Sequence, residues 1–251
     1  LDGYYEQRFS NNRYNNCLTF DDGFANNYKY VLPLLEKYEI PAAFFVTGIR
    51  EAGYDILWND VLSMAYAYGP EKFSFGNQIF IKTKDTKYRS SITGRRLDEF
   101  LKQTGFKEKA EMIKILDQYK QYATTDYWLQ MTEMEIKTMS ESKWATIGAH
   151  GYYHNDMATI STDDARDEML RVKKFLENIT GKEVRSLAFP YGSYSKAIVE
   201  EAKKAGYTQL LATEFLFPED EQDQVLRERL TINPFISNVN QLYANVTGRY
   251  A

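Results

Sequence analysis

Short apolar runs alternate with amphipathic stretches along most of this chain. Asn16 to Phe20 stops at Asp21-Asp22-Gly23, the pattern of a buried strand running into a loop. Tyr30, Val31, Leu34, Leu35 and Tyr38 then recur at helical spacing, with Pro33 as an irregularity. Ala42 to Val46 is a second apolar run, ending at Thr47-Gly48. Strand, helix and strand in so short a span predict a βαβ unit. The alternation resumes with a helix over Met131 to Ser140 and a strand over Ala145 to Ala149 that leads to His150. Ser161-Thr162-Asp163-Asp164 reads as an N-cap followed by first-turn acids, opening a helix to about Asn178 that Gly181 closes. Val184 to Phe189 and Tyr207 to Ala212 predict strands on either side of a helix from Ser195 to Ala205. Leu226 to Ile232 predicts a last strand, and Asn238 to Asn245 a last helix. Apolar strands alternating with helices mean a parallel sheet covered by helices. The predicted class is α/β, a distorted and incomplete (β/α) barrel.

The section from about Arg50 to Gln130 breaks the alternation. Phe73, Phe75, Ile79 and Ile81 flank Gly76-Asn77, a two-residue hairpin signal. Arg96 to Gly105 and Lys107 to Tyr122 read as two helices. This mixed hairpin-plus-helices insertion has no low-complexity composition and is expected to be ordered on the rim of the barrel where strands end.

Composition narrows the class without choosing a function. At 251 residues, with 43% hydrophobic and 26% charged positions, the chain is a soluble globular protein large enough to bury a core without staples. A net charge of -4 with interspersed basic residues gives no nucleic-acid footprint. Cys17 is the only cysteine, so no internal disulfide can form. No apolar stretch reaches the ~18 residues that a membrane span needs. Any signal peptide lies outside this stretch, and the compartment stays open.

Three predicted strand ends carry unusual polar residues. Thr19-Phe20-Asp21-Asp22-Gly23 places adjacent carboxylates where parallel α/β folds put catalytic groups, and adjacent acids can divide metal binding and proton transfer between them. A plain turn is the other reading of Asp-Asp-Gly. His150 and His154, the only two histidines, follow a strand within one loop and could supply two metal positions or be ordinary surface groups. Ala188-Phe189-Pro190-Tyr191-Gly192 ends a further strand, and alone it marks only a sharp turn. Together, two imidazoles and one carboxylate form a facial set that leaves metal positions open for water and substrate.

In that chain order, TFDDG, His-x-x-x-His and a Pro-Tyr-Gly strand end resemble the polysaccharide deacetylase (NodB-homology, carbohydrate esterase family 4) family. The likeness covers residues 16 to 48 and 130 to about 212, leaving the insertion outside it. It implies one such domain over 1–251, interrupted at about 50–130, with a distorted barrel fold. It implies that Asp22, His150 and His154 hold one divalent ion, zinc, with cobalt or nickel as alternatives. Asp21 matches the general base, so that a metal-activated water attacks the acetyl carbonyl of an acetylated polysaccharide or oligosaccharide. Tyr191 matches the residue whose backbone N–H stabilises the oxyanion. The family also tilts the compartment towards outside the cytoplasm.

Several positions depart from the family pattern. Ala188 stands where many members have an arginine that pairs with the catalytic aspartate, and Arg185 lies at an odd strand offset that points it away. No histidine follows His154 to protonate the leaving group, and the region around Arg229 to Asn233 offers none. No Asp-x-x-Asp-Trp follows Gly206, and Gly151 replaces the usual serine or threonine of the histidine motif. Asp21 acting twice, or Glu214 or a tyrosine as a separate acid, would supply the missing proton for an N-acetyl substrate, and an O-acetyl ester would need less help. The alternatives to a deacetylase are a silent carbohydrate-binding member and an amidohydrolase acting on a small non-sugar amide.

Overall fold

The computed structural model describes residues 1–8, 15–122 and 127–248. Six parallel strands form the main sheet: β1 (Leu18–Phe20), β2 (Ala42–Val46), β6 (Ala145–Ala149), β7 (Ser186–Ala188), β8 (Gln209–Ala212) and β9 (Leu226–Glu228), in that order across the sheet. The edges β1 and β9 are not paired with each other, yet Arg229, one residue beyond β9, bonds Thr19 and Asp21 at the end of β1. Such a contact between opposite edges requires a curled sheet, an incomplete barrel with an open seam.

Residue alternation along the strands sorts the core into two faces. Ala43, Phe45, Ala188 and Leu211 face the lumen, with Leu1 packed against them. Ala42, Phe44, Val46, Leu187, Leu210 and Ala212 point the other way, into a larger cluster. That cluster is covered by α2 (Leu32–Tyr38), α6 (Glu133–Glu141), α7 (Thr162–Thr180) and α8 (Lys196–Lys204). Because side chains alternate along a strand, the all-buried run of β2 can serve both faces. At the opposite end from the strand termini, Asp2 of α1 (Asp2–Tyr5) pairs with Arg185 at 2.9 Å and accepts from Gln209 Nε2 at 2.7 Å. Arg185 is thus engaged at the start of β7, away from Asp21.

The helix signals hold in detail. Ser161 caps α7 by accepting from the Asp164 N–H, and Gly181 ends it in a left-handed turn. Thr132 and Glu135 form a capping box at the start of α6. Pro33 is accommodated because a π-helical turn, Asn27–Val31, precedes it and leaves the proline in the first turn of α2, where no N–H is needed. The last strand is shorter than its apolar pattern, stopping at Glu228, and α9 (Asn238–Thr247) follows.

Between β2 and β6 lies a second core. The antiparallel sheet β3 (Lys72–Phe75), β4 (Gln78–Lys82), β5 (Tyr88–Ser90) packs with α3 (Trp58–Tyr68), α4 (Leu97–Lys102) and α5 (Phe106–Leu116). The hairpin turns at Gly76-Asn77 as expected, with Gly76 at φ +56°. Two elements were not legible in the pattern. Helix α3 starts at Leu57, which gives no side-chain cap, and it buries apolar residues around most of its circumference, erasing the amphipathic stripe. Strand β5 has only three residues. No described helix is long and apolar enough to cross a membrane.

Candidate metal centre and active site

The singled-out residues converge at the carboxyl ends of the parallel strands. Asp21 and Asp22 follow β1, His150 and His154 follow β6, and Tyr191 follows β7. Asp22 Oδ1 lies 3.2 Å from Nε2 of both His150 and His154. One ligand atom from each of the three falls within 4.8 Å of the others. His150 Nδ1 donates to the Ala188 carbonyl at 2.8 Å, so that in the neutral ring the Nε2 lone pair faces Asp22. His154 is oriented likewise: its Nδ1 lies 3.2 Å from the Tyr191 hydroxyl, and Trp58 Nε1 donates to its backbone carbonyl at 3.3 Å. Two buried imidazoles and one ionised carboxylate with their lone pairs converging suit a divalent transition metal such as zinc.

Backbone strain is concentrated here. Asp22, His154 and Tyr191 adopt φ of +71°, +57° and +61°, and only three other described non-glycine residues share that region. Strain of this kind costs about 1–3 kcal/mol per residue, less for Asp and His than for Tyr, and persists where surrounding contacts over-determine the turn.

Asp21 differs from Asp22 in its partners. Arg229 grips both its oxygens, Nη1 to Oδ1 at 2.8 Å and Nη2 to Oδ2 at 2.7 Å. The guanidinium also donates to Thr19 Oγ1 at 3.0 Å and lies over the Phe45 ring. Asp21 Oδ2 is 4.0 Å from His150 Nε2, so it stands beside the convergent donors without crowding them. Burial pushes Asp21 up, but the His150 charge and the Arg229 fork overcome it and hold the carboxyl below its ordinary range. Asp22 is likewise held below its ordinary range, burial being overcome by both histidines. In His154, burial outweighs the opposing pull of Asp22 and leaves the ring below its ordinary value. In His150, Asp21 and Asp22 outweigh burial and raise it.

A family model described as polysaccharide deacetylase matches residues 12–72 and 107–210. This chain belongs to the polysaccharide deacetylase family. A peptidoglycan-N-acetylmuramic acid deacetylase of Bacillus subtilis, PdaA, is 31% identical over 101 residues, which make up 38% of this chain and 38% of that protein. The chain therefore matches well under half the length of that curated relative. Among solved structures, the fold is shared with the Streptococcus pyogenes deacetylase PplD in complex with acetate, at 17% identity and a TM-score of 0.55, over 96% of this chain and 76% of that one. It is also shared with the polysaccharide deacetylase BC0361 of Bacillus cereus, at 18% identity and a TM-score of 0.51, over 91% of this chain and 50% of that one.

Two departures from the deacetylase pattern now have physical explanations. The arginine absent at Ala188 is replaced in its pairing with Asp21 by Arg229, which reaches across the seam. Its sequence signal is slight: a second arginine, two positions after Arg227, just beyond the last strand. Gly151 sits at φ +74°, and a Cβ there would come within 3.2 Å of Met157 and Pro190 and 3.4 Å of Glu168. A serine or threonine would need both a different backbone turn and more room. Glu214 follows β8 as an exposed residue, and its charge is felt at Tyr194.

Proposed function

We propose that this chain is a metal-dependent deacetylase that removes N-acetyl groups from an acetylated polysaccharide or oligosaccharide. Asp22, His150 and His154 would hold one divalent ion, zinc by the character of the donors. A zinc ion bound there lowers the pKa of water and polarises a carbonyl oxygen. The observation that carries the reading is the division of the two acids. Asp22 faces both imidazoles, whereas Asp21 is oriented beside them by a two-point arginine fork.

Asp21 accepts the proton as water adds to the acetyl carbon. The Arg229 fork keeps it ionised, and a proton that it then holds can pass to the departing amine. One carboxylate can thus serve both half-reactions, without a third histidine. The Tyr191 N–H stabilises charge on the carbonyl oxygen, a donor typically worth about 3–4 kcal/mol. The name of the Bacillus relative adds peptidoglycan to the candidate substrates.

A second reading, carbohydrate binding without turnover, rests on there being only two histidines, both assigned to metal. Acetate release from peptidoglycan, chitooligosaccharides and acetylated xylan, with and without added zinc or cobalt, separates the readings. Metal-stimulated release from any of these supports the deacetylase. Binding without release supports the silent member. Release only from a small non-sugar amide would replace the carbohydrate substrate.

A further inference from the structure

Polar groups buried between the insertion and the barrel meet at the loop that carries the histidines. Lys109 of α5 is fully buried. Its Nζ donates to the Thr104 carbonyl at 3.1 Å and to Asn155 Oδ1, and lies 5.0 Å from the centre of the Trp58 ring. Asn155 Nδ2 in turn donates to Glu168 Oε1 at 2.5 Å. Glu168 Oε2 accepts the backbone N–H groups of Tyr152 and Tyr153, at 3.2 and 3.0 Å. The chain from insertion to α7 thus grips the histidine loop at Asn155, next to His154, and at the two consecutive amides of Tyr152 and Tyr153 between the histidines.

Further contacts brace the same loop. Phe106 stacks on Tyr153 with ring centres 4.1 Å apart, and Trp58 bonds the His154 carbonyl. A positive-φ histidine needs such external restraint. A buried ammonium is costly unless it is paired, and burial pushes Lys109 down to about 8 against the opposing pull of Glu168. An aliphatic side chain would fill α5 without that cost, so packing alone does not account for a lysine here.

We propose that Lys109 is a positioning residue that holds the His154 loop through Asn155 and thereby sets the tightness of the metal site. The inference rests on Asp22, His150 and His154 being that site. Zinc affinity is measured by competition with a chromogenic chelator for the parent chain, Lys109→Met and Asn155→Ala. Asn155→Ala cuts the link while leaving Lys109 bonded to Thr104. The expected result is zinc binding weaker by about 10–100-fold in both variants, the usual effect of removing an outer-shell support. Met112→Ala, in the same helix and equally buried but outside the network, serves as the stability control. It should lower the melting temperature and keep zinc affinity within about twofold of the parent.

Parent-like zinc affinity in Lys109→Met and Asn155→Ala overturns the proposal and leaves the metal site intact. So does an equal loss of affinity in Met112→Ala, which would make the effect one of general stability. Failure of the parent itself to bind zinc overturns the metal reading and this inference together.

Discussion

The barrel and the insertion are built on different topologies, one a parallel sheet and the other a small antiparallel one, and the candidate site stands where they meet. The barrel buries aliphatic residues from alternating strand and helix positions, and its site residues all leave strands at one end. The insertion packs aliphatic residues of α3, α4 and α5 against the aromatics of its small sheet, where Phe73 stands edge-on to Tyr88 and Phe75 lies against Phe80 and Phe100. The barrel supplies the candidate metal ligands and proton acceptor, while the insertion restrains the histidine loop through Trp58 and Lys109. Local periodicity shows the strands and helices of the first region, whereas in the second it shows the hairpin, α4 and α5 but not α3 or β5.

Removing a barrel donor should have the largest effect. His150→Ala and Asp22→Ala are expected to abolish stoichiometric zinc, read by elemental analysis after dialysis; retained zinc would move the site. Asp21→Asn should keep zinc and lose turnover by about 10²–10⁴-fold, as loss of a proton-transfer group does. Arg229→Met should show the same pattern with a smaller loss, about 10–100-fold, because Asp21 remains but loses its fork and its depressed pKa. If Arg229→Met instead releases zinc, its role is to hold the seam rather than the base.

Core truncations compare the two regions directly. Leu210→Ala in the barrel and Leu101→Ala in the insertion, both fully buried, should each cost about 2–5 kcal/mol. Both should shift one common unfolding transition in calorimetry. A separate early transition in Leu101→Ala alone would show that the insertion folds as an independent unit.

The smallest effect concerns Asp60, in the first turn of α3. It is buried with Oδ2 unpartnered, and burial first, then the Asp22 charge, pushes it up to about 7. A raised carboxyl contributes stability that is fully present below its unfolded value near 4 and lost as pH rises through about 7. At pH 8 the metal-free parent therefore buries an ionised group at a cost. Asp60→Asn should raise its melting temperature by a few degrees at pH 8 and by less at pH 5. Equal shifts at both pH values would mean that Asp60 does not titrate in this window.

By itself the sequence determined the alternating parallel sheet, the hairpin at Gly76-Asn77 and the cap of α7, and its family resemblance singled out Asp22, His150 and His154. These follow from local rules: period-two burial, capping chemistry, and polar side chains placed where strands must end. Only the tertiary structure decided that Arg229 pairs with Asp21, since the two stand 208 positions apart on opposite edges of the sheet and meet only because it curls. It also decided that a buried lysine of the insertion reaches the histidine loop, and that Asp22, His154 and Tyr191 take left-handed turns. Such features have no short-range signature, because each is held by contacts that exist only after both cores have packed.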